Sequence, residues 1–355
     1  MPYTYEHLME LPFEEKAKLL ERDGRIFHVI FARQFNRDNL NYLFEIATKM
    51  RIIGRTVEGI KFLGDLLPHK SAMLYFMQPS TRTYLSFVRA CQYLGMDYAE
   101  VRDPRVSSAF KGESDIDGVR TFSSYFDIII MRHSESGFAE RVAYMMNETN
   151  RTIPVVSGGA GMDEHPTQAL LDMYTMHRSF ETRVGGLDGI HVAFVGDIRR
   201  GRTVHSLSQL LTLYNNVKMT FVAPEELRLA DRIRAHLDAK RADYAESSDL
   251  NSVIEDVDAI YVTRIQDEYD VSGESKNIDY TRFHLTLDHV NRMKESAIVM
   301  HPLPRRAELD PNIDRNHRAM YWRQERNGMW MRAALVSFIF RMDQRILEYY
   351  SRHFV

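Results

Sequence analysis

Ala72-Met73-Leu74-Tyr75-Phe76-Met77, followed after Gln78-Pro79 by Ser80-Thr81-Arg82-Thr83, is the stretch on which the fold turns. The six apolar residues read as a buried strand. Beyond Thr83, Tyr84, Phe87, Val88, Cys91 and Leu94 recur at helical spacing until Gly95. Two hydroxyls, a guanidinium and a third hydroxyl therefore stand where a strand feeds a helix. Unsatisfied backbone N–H groups and the positive end of the helix dipole favour an anion there. Arg82 adds a planar fork of donors suited to phosphate. The fragment points to a phosphorylated ligand held without a glycine-rich loop.

Upstream, Asn36 can cap a helix carrying Leu40, Leu43, Phe44, Ala47 and Met50 on one face. Residues 1–27 read as an extension, with a short helix after Pro12 that closes at Gly24. It either packs on a partner subunit or forms a surface appendage. Downstream come a strand near 97–101, a polar loop at 103–114, a helix near 115–125 and a buried strand, Asp127-Ile128-Ile129-Ile130-Met131-Arg132. Ile153-Pro154-Val155-Val156 reads as another strand. Gly158-Gly159-Ala160-Gly161 then leads through His165-Pro166-Thr167-Gln168 into a helix to about Ser179. After Gly185-Gly186 and Gly189 a second series begins, with strands at Ile190–Val195, Met219–Val222, Ala259–Val262 and Ala297–Met300. The fold class expected is α/β: two doubly wound parallel-sheet domains with the active site in the cleft between them. The domains are drawn as 28–180 and 181–330. A final amphipathic stretch, roughly Met331 to Tyr350, returns to the first, so that 331–355 completes it.

The 355 residues suffice for two domains with their own cores, and the net charge of −3 shows no nucleic-acid footprint. The one cysteine, Cys91, excludes a disulfide within the chain and reads as a buried thiol. No stretch is long and apolar enough to span a bilayer, and the first residues show no secretory pattern. A reducing cytoplasm is expected.

Ligands of open parallel sheets bind beyond the carboxyl ends of strands. Arg82, Arg132, His165, Arg202, Arg264, Gln266 and His301 all fall at such ends. A single strand-end arginine is more often a surface ion pair, and a single histidine a satisfied structural residue. The repetition makes that bland reading fail for the set. These are cations and neutral donors, so their ligands are anions. Arg82 and Arg132 belong to the first half, Arg202 and Arg264 to the second, which suggests one anionic substrate per domain. No serine–histidine–acid set is apparent, and no His/Cys/Asp/Glu cluster has metal-ligand spacing, so neither cofactor nor metal is expected.

Taken together, the segments resemble the aspartate and ornithine carbamoyltransferases. Ser80-Thr81-Arg82-Thr83, Met131-Arg132-His133, His165-Pro166-Thr167-Gln168 and His301-Pro302-Leu303-Pro304-Arg305 carry the likeness, in the family's order. The loop with Ser107, Ser108 and Lys111-Gly112-Glu113-Ser114 also fits. The likeness runs from about His28 to the C-terminus. Gly196-Asp197-Ile198-Arg199-Arg200-Gly201-Arg202-Thr203-Val204-His205-Ser206-Leu207 and Thr263-Arg264-Ile265-Gln266 point to the aspartate branch. The ornithine branch typically has cysteine where this chain has Pro302, and an Asp-x-x-x-Ser-Met segment that is absent here.

The resemblance implies a role for each residue. Ser80, Thr81, Arg82 and Thr83 would hold the phosphate of carbamoyl phosphate. Arg132 would bridge phosphate and carbonyl oxygen. Thr83, Arg132 and His165 would polarise that carbonyl. Gln168 and the backbone carbonyls of Pro302 and Leu303 would orient the carbamoyl NH2. Arg202 would take the α-carboxylate of L-aspartate and Arg264 its side-chain carboxylate, with Gln266 and Lys111 nearby. Ser108 and Lys111 would enter a neighbouring subunit's site, which implies at least a homotrimer. The Leu303–Pro304 bond would be cis. The implied reaction yields N-carbamoyl-L-aspartate and phosphate, an early step of pyrimidine synthesis. Another amino-acid acceptor, or a silent homologue acting as scaffold or regulatory subunit, stays open. Two positions depart from the family's bacterial aspartate enzymes. Gln78 stands where they often have Glu, and Asp267, Glu268 and Tyr269 where they often have Arg. Their ion pairs brace domain closure, so closure here would be braced differently.

Overall fold

A computed structural model describes residues 5–103, 114–160, 164–182, 185–266 and 278–354. The chain divides into two compact units, Met1–Thr167 with Gly328–Val355, and Gln168–Asn327.

In the first unit a short antiparallel hairpin joins β1 (Glu21–Arg22) to β2 (Arg25–Ile26). The main sheet holds β3 (Ser71–Phe76), β4 (Asp97–Val101), β5 (Ile128–His133) and β6 (Val155–Ala160). They run parallel in the order β4-β3-β5-β6. Successive side chains point to opposite faces of a strand. Met73, Tyr75, Ile129 and Met131 join one cluster with Phe138, Val142 and Ala143. Ala72, Leu74, Ile128 and Ile130, pointing the other way, are fully buried as well. Burial on both faces is why the central strands β3 and β5 read as apolar runs, while the edge strand β4 does not.

The second unit has β7 (His191–Val195), β8 (Lys218–Val222), β9 (Asp243–Ser247), β10 (Ala259–Val262) and β11 (Ile298–Met300). They too are parallel, in the order β11-β10-β7-β8-β9. Ala193, Val195, Ile260, Val262 and Val299 share a core with Leu285, Val290 and Leu309. Chain order reverses between β3 and β5 in one sheet and between β7 and β10 in the other. Such a reversal leaves a crevice at the strands' carboxyl ends.

Several elements differ from the sequence expectation. Gly158-Gly159-Ala160 is part of β6 rather than a loop, and the pairing with β5 shifts register between Met131 and His133. The C-terminal stretch is two helices, Tyr321–Ile339 and Asp343–His353, because Arg341 between them adopts φ 60. Strand β9 and helices Val57–Gly64 and Phe138–Asn147 are additional. Asn36 does cap its helix, accepting from the Asn39 amide at 2.8 Å. Among the described residues no helix is long and apolar enough to cross a membrane.

Candidate active site

The helix Thr81–Tyr93 starts five residues after β3 ends, with Ser80 in extended conformation as its N-cap. Serine is a favoured capping residue, yet the Ser80 side chain makes no capping hydrogen bond. Asn36, Thr56 and Ser114, by contrast, each accept from an amide of their own helix's first turn. Thr81, Arg82 and Thr83 occupy the first turn. Their N–H groups precede the first helical donor, Tyr84, which bonds to the Ser80 carbonyl at 3.2 Å. Thr81 is exposed, Ser80 and Arg82 are half-buried, and Thr83 is buried.

Thr83, Arg132 and His165 come together around the Gly158–Gly159 peptide. Thr83 Oγ1 lies 3.5 Å from His165 Nε2. Arg132, near the end of β5 and 9 % exposed, donates from Nη1 to the Gly158 carbonyl at 3.1 Å. Gly159 has φ +99, and a Cβ there would stand 2.9 Å from His165 Cδ2 and 3.0 Å from Arg132 Nη1. Beside His165, the buried Glu164 carboxylate accepts from the Ala32 amide at 2.6 Å, fixing the approach to the helix Pro166–Phe180. Adjacent to Arg132, His133 Nε2 is 3.2 Å from Asp115, and Asp115 also accepts from Tyr75 at 2.8 Å.

In the second unit the carboxyl ends of the neighbouring strands β7 and β10 carry the other set. Asp197, wholly buried, accepts from the Arg200 amide and from the Gln266 amide, each at 3.1 Å. One carboxylate thus ties the loop after β7, which leads to Arg202, to the loop after β10, which holds Arg264 and Gln266. Arg202, 9 % exposed, opens the helix Arg202–Leu211. Arg264 is half-buried and donates from Nη1 to the Ile265 carbonyl at 3.0 Å. His205 Nε2 holds the Ile198 carbonyl at 2.9 Å, while Arg232 faces its Nδ1 at 3.3 Å. Burial, reinforced by Arg232, pushes His205 down to about 4, so the imidazole is neutral.

After β11, His301 is fully buried. Its Nδ1 accepts from the Leu303 amide at 2.8 Å and its Nε2 donates to Glu308 at 2.9 Å. Burial alone would raise Glu308, but the bonds from His301 and the Arg306 amide hold it below the ordinary carboxylate value. Leu303 adopts φ 49, and the Leu303–Pro304 bond is cis. A non-glycine residue at positive φ persists only where its surroundings hold it, here by the Leu303–His301 bond. Gln168 is buried and donates to Asp172 at 3.0 Å. Sequence reading missed Asp172; the signal was an acid one turn after Gln168 within Ala169-Leu170-Leu171-Asp172-Met173.

Ser108 and Lys111 lie outside the described residues, as do Asp267, Glu268 and Tyr269. Among the described residues no group of three or more His, Cys, Asp or Glu side chains could hold a metal.

Comparison with known proteins also divides the chain in two, with the break after residue 178 rather than after Thr167. Residues 28–178 match the family model "Aspartate/ornithine carbamoyltransferase, carbamoyl-P binding domain". Residues 188–339 match its "Asp/Orn binding domain". An aspartate carbamoyltransferase of Pisum sativum chloroplasts is 42% identical over 312 residues, 87% of this chain and 77% of that protein. The catalytic subunit of M. jannaschii aspartate transcarbamoylase superposes with a TM-score of 0.77 at 36% identity, covering 90% of this chain and 99% of that one. The Trypanosoma cruzi enzyme, solved with carbamoyl aspartate and phosphate, gives 0.75 at 31% identity, covering 87% and 94%.

Proposed function

The chain belongs to the aspartate/ornithine carbamoyltransferase family, and from that premise we infer that it transfers the carbamoyl group of carbamoyl phosphate to the amine of L-aspartate. The products are N-carbamoyl-L-aspartate and phosphate. The observation that carries the reaction is the gathering of Thr83, Arg132 and His165 around one peptide of β6. A hydroxyl, a guanidinium and an imidazole grouped this closely suit the charge that develops on a carbonyl under attack.

Ser80, Thr81, Arg82 and Thr83 hold the phosphate at the helix start, and Arg132 spans phosphate and carbonyl oxygen. Gln168 and the carbonyls of Pro302 and Leu303 accept from the carbamoyl NH2. The aspartate amine attacks the carbonyl carbon to give a tetrahedral oxyanion. Collapse breaks the bond to phosphate, which leaves with the electron pair and takes the amine proton. No strong protein base is required, and positioning of the two anions supplies much of the rate.

Arg202 and Arg264 read the two carboxylates of the acceptor. Arg264→Ala is expected to raise the KM for aspartate by about tenfold to a hundredfold, one or two powers of ten for a lost charge-assisted contact. The KM for carbamoyl phosphate should change little. Steady-state kinetics on the purified chain test this, with a panel of other amino acids as acceptors. Unchanged aspartate kinetics, or faster turnover of another amine, would sink the acceptor assignment.

Ser108 and Lys111, by family likeness, complete the site of a neighbouring subunit, so a homotrimer is proposed. Light scattering should give the mass of three chains rather than one of 41.5 kDa. A fully active monomer would refute shared sites. The proposed compartment is the reducing cytoplasm. The single thiol, Cys91, is buried, and that burial pushes it up to about 12, which leaves it unreactive.

A further inference from the structure

We propose that Asp172 is a positioning residue for the carbamoyl group: it fixes the Gln168 amide directly and the His301–Leu303 turn through Gln324. The inference deepens the functional reading above and rests on it. Asp172 is wholly buried and accepts three hydrogen bonds. Gln168 donates from Nε2 to Oδ1 at 3.0 Å, Gln324 from Nε2 to Oδ1 at 2.6 Å, and Tyr261 from its hydroxyl to Oδ2 at 2.7 Å. Gln324 then uses its Oε1 to accept from the His301 amide at 3.0 Å. His301 in turn accepts from the Leu303 amide at 2.8 Å.

An ionised carboxylate only accepts, so the amide end that meets it must be NH2. Asp172 therefore dictates which way the Gln168 amide faces. Its nitrogen meets Asp172, so its oxygen faces away from the carboxylate, and that oxygen is the end that would accept from the carbamoyl NH2. The same carboxylate sets the Gln324 amide, whose oxygen pins the start of the turn bearing the Pro302 and Leu303 carbonyls. All three acceptors assigned to one substrate NH2 thus share one anchor. Tyr261, the third donor, lies on β10, two residues before Thr263-Arg264. The acceptor-reading loop hangs from the same carboxylate.

A protonated Asp172 loses the charge that strengthens its three bonds, and a proton on Oδ1 would displace one of the two glutamine amides that share that oxygen. Burial pushes it up to about 7, against the three hydrogen bonds, and the negative charge of Glu325 pushes the same way. Gln168 from its own helix, Tyr261 from β10, and Gln324 with Glu325 from helix Tyr321–Ile339 are the groups that face it. The charge-assisted hold on both amides should therefore weaken as pH falls through this range.

The test is the pH profile of kcat/KM for carbamoyl phosphate on the full chain, wild type against Asp172→Asn and Tyr261→Phe, with thermal melts on all three. Asp172→Asn removes the negative charge and leaves one accepting oxygen where there were two. It should lower kcat/KM about tenfold to a hundredfold, the effect of weakening the charge-assisted bonds that set the amides. It should also abolish the acid limb near pH 7. Tyr261→Phe removes one stabilising donor from the carboxylate, so its acid limb should move to higher pH. Wild-type kinetics with an unchanged limb in Asp172→Asn overturn the proposal. If that variant does not fold, an unmoved limb in Tyr261→Phe overturns it instead. A wild-type chain that turns over nothing refutes the carbamoyl-transfer reading and takes this inference down with it.

Discussion

Arg132→Ala should lower kcat by about a thousandfold or more, which is the upper end for removing one oxyanion donor. Arg132 sits near the carboxyl end of β5, beside the switch point of the first sheet, with its guanidinium on the Gly158 carbonyl. The assigned job has two parts: to neutralise the leaving phosphate and to stabilise the oxyanion. Alanine removes both. Lysine would restore the charge but not the planar fork, so Arg132→Lys should recover only part of the loss. The Gly158 carbonyl would also lose a buried partner, at a cost of about 1–3 kcal/mol in stability. Kinetics at saturating substrate, corrected for folded fraction, separate the two effects. A kcat within tenfold of wild type would remove Arg132 from the chemistry.

The strand-to-helix turns were legible because two signals coincide there. Ala72–Met77 and Asp127–Arg132 are apolar on both faces, and each ends in residues with no packing use for their charge or hydroxyls. Strand β9 was not legible. Asp243, Tyr244, Ala245, Glu246 and Ser247 stand at the edge of the sheet and none is fully buried, so no apolar run marks them. Arg341 broke the last helix without glycine or proline, which leaves nothing local to read. Glycines in β6 misled in the opposite sense: they read as a loop, but the backbone there must pass close to two catalytic candidates. The roles of Asp172 and Asp197 depend on partners remote in sequence. Asp197 was visible as a strand-end acid, yet its tie to the Gln266 amide spans loops that only the sheet order brings together.

That close passage makes Gly159→Ala the sharpest probe of the first half-site. Gly159 holds φ +99, where a Cβ costs about 1–3 kcal/mol in strain. Its Cβ would also stand 2.9 Å from His165 Cδ2, 3.2 Å from His165 Cγ and 3.0 Å from Arg132 Nη1. Real Cβ atoms essentially never sit as close as 2.9 Å, so the imidazole has to yield, and the guanidinium at 3.0 Å is crowded as well. A misplacement of about 1 Å costs about a hundredfold in rate. Two donors flank the same methyl, so Gly159→Ala should lose about a hundredfold in kcat or more, although it removes no functional atom. Gly24→Ala is the control. Gly24 has φ +71, but a Cβ there meets nothing within 4 Å. It should lose comparable stability while keeping wild-type kcat. If both variants lose stability alike and Gly159→Ala keeps its kcat, then His165 and Arg132 do not need their places around the β6 peptide. The three-donor arrangement would then not be what stabilises the oxyanion.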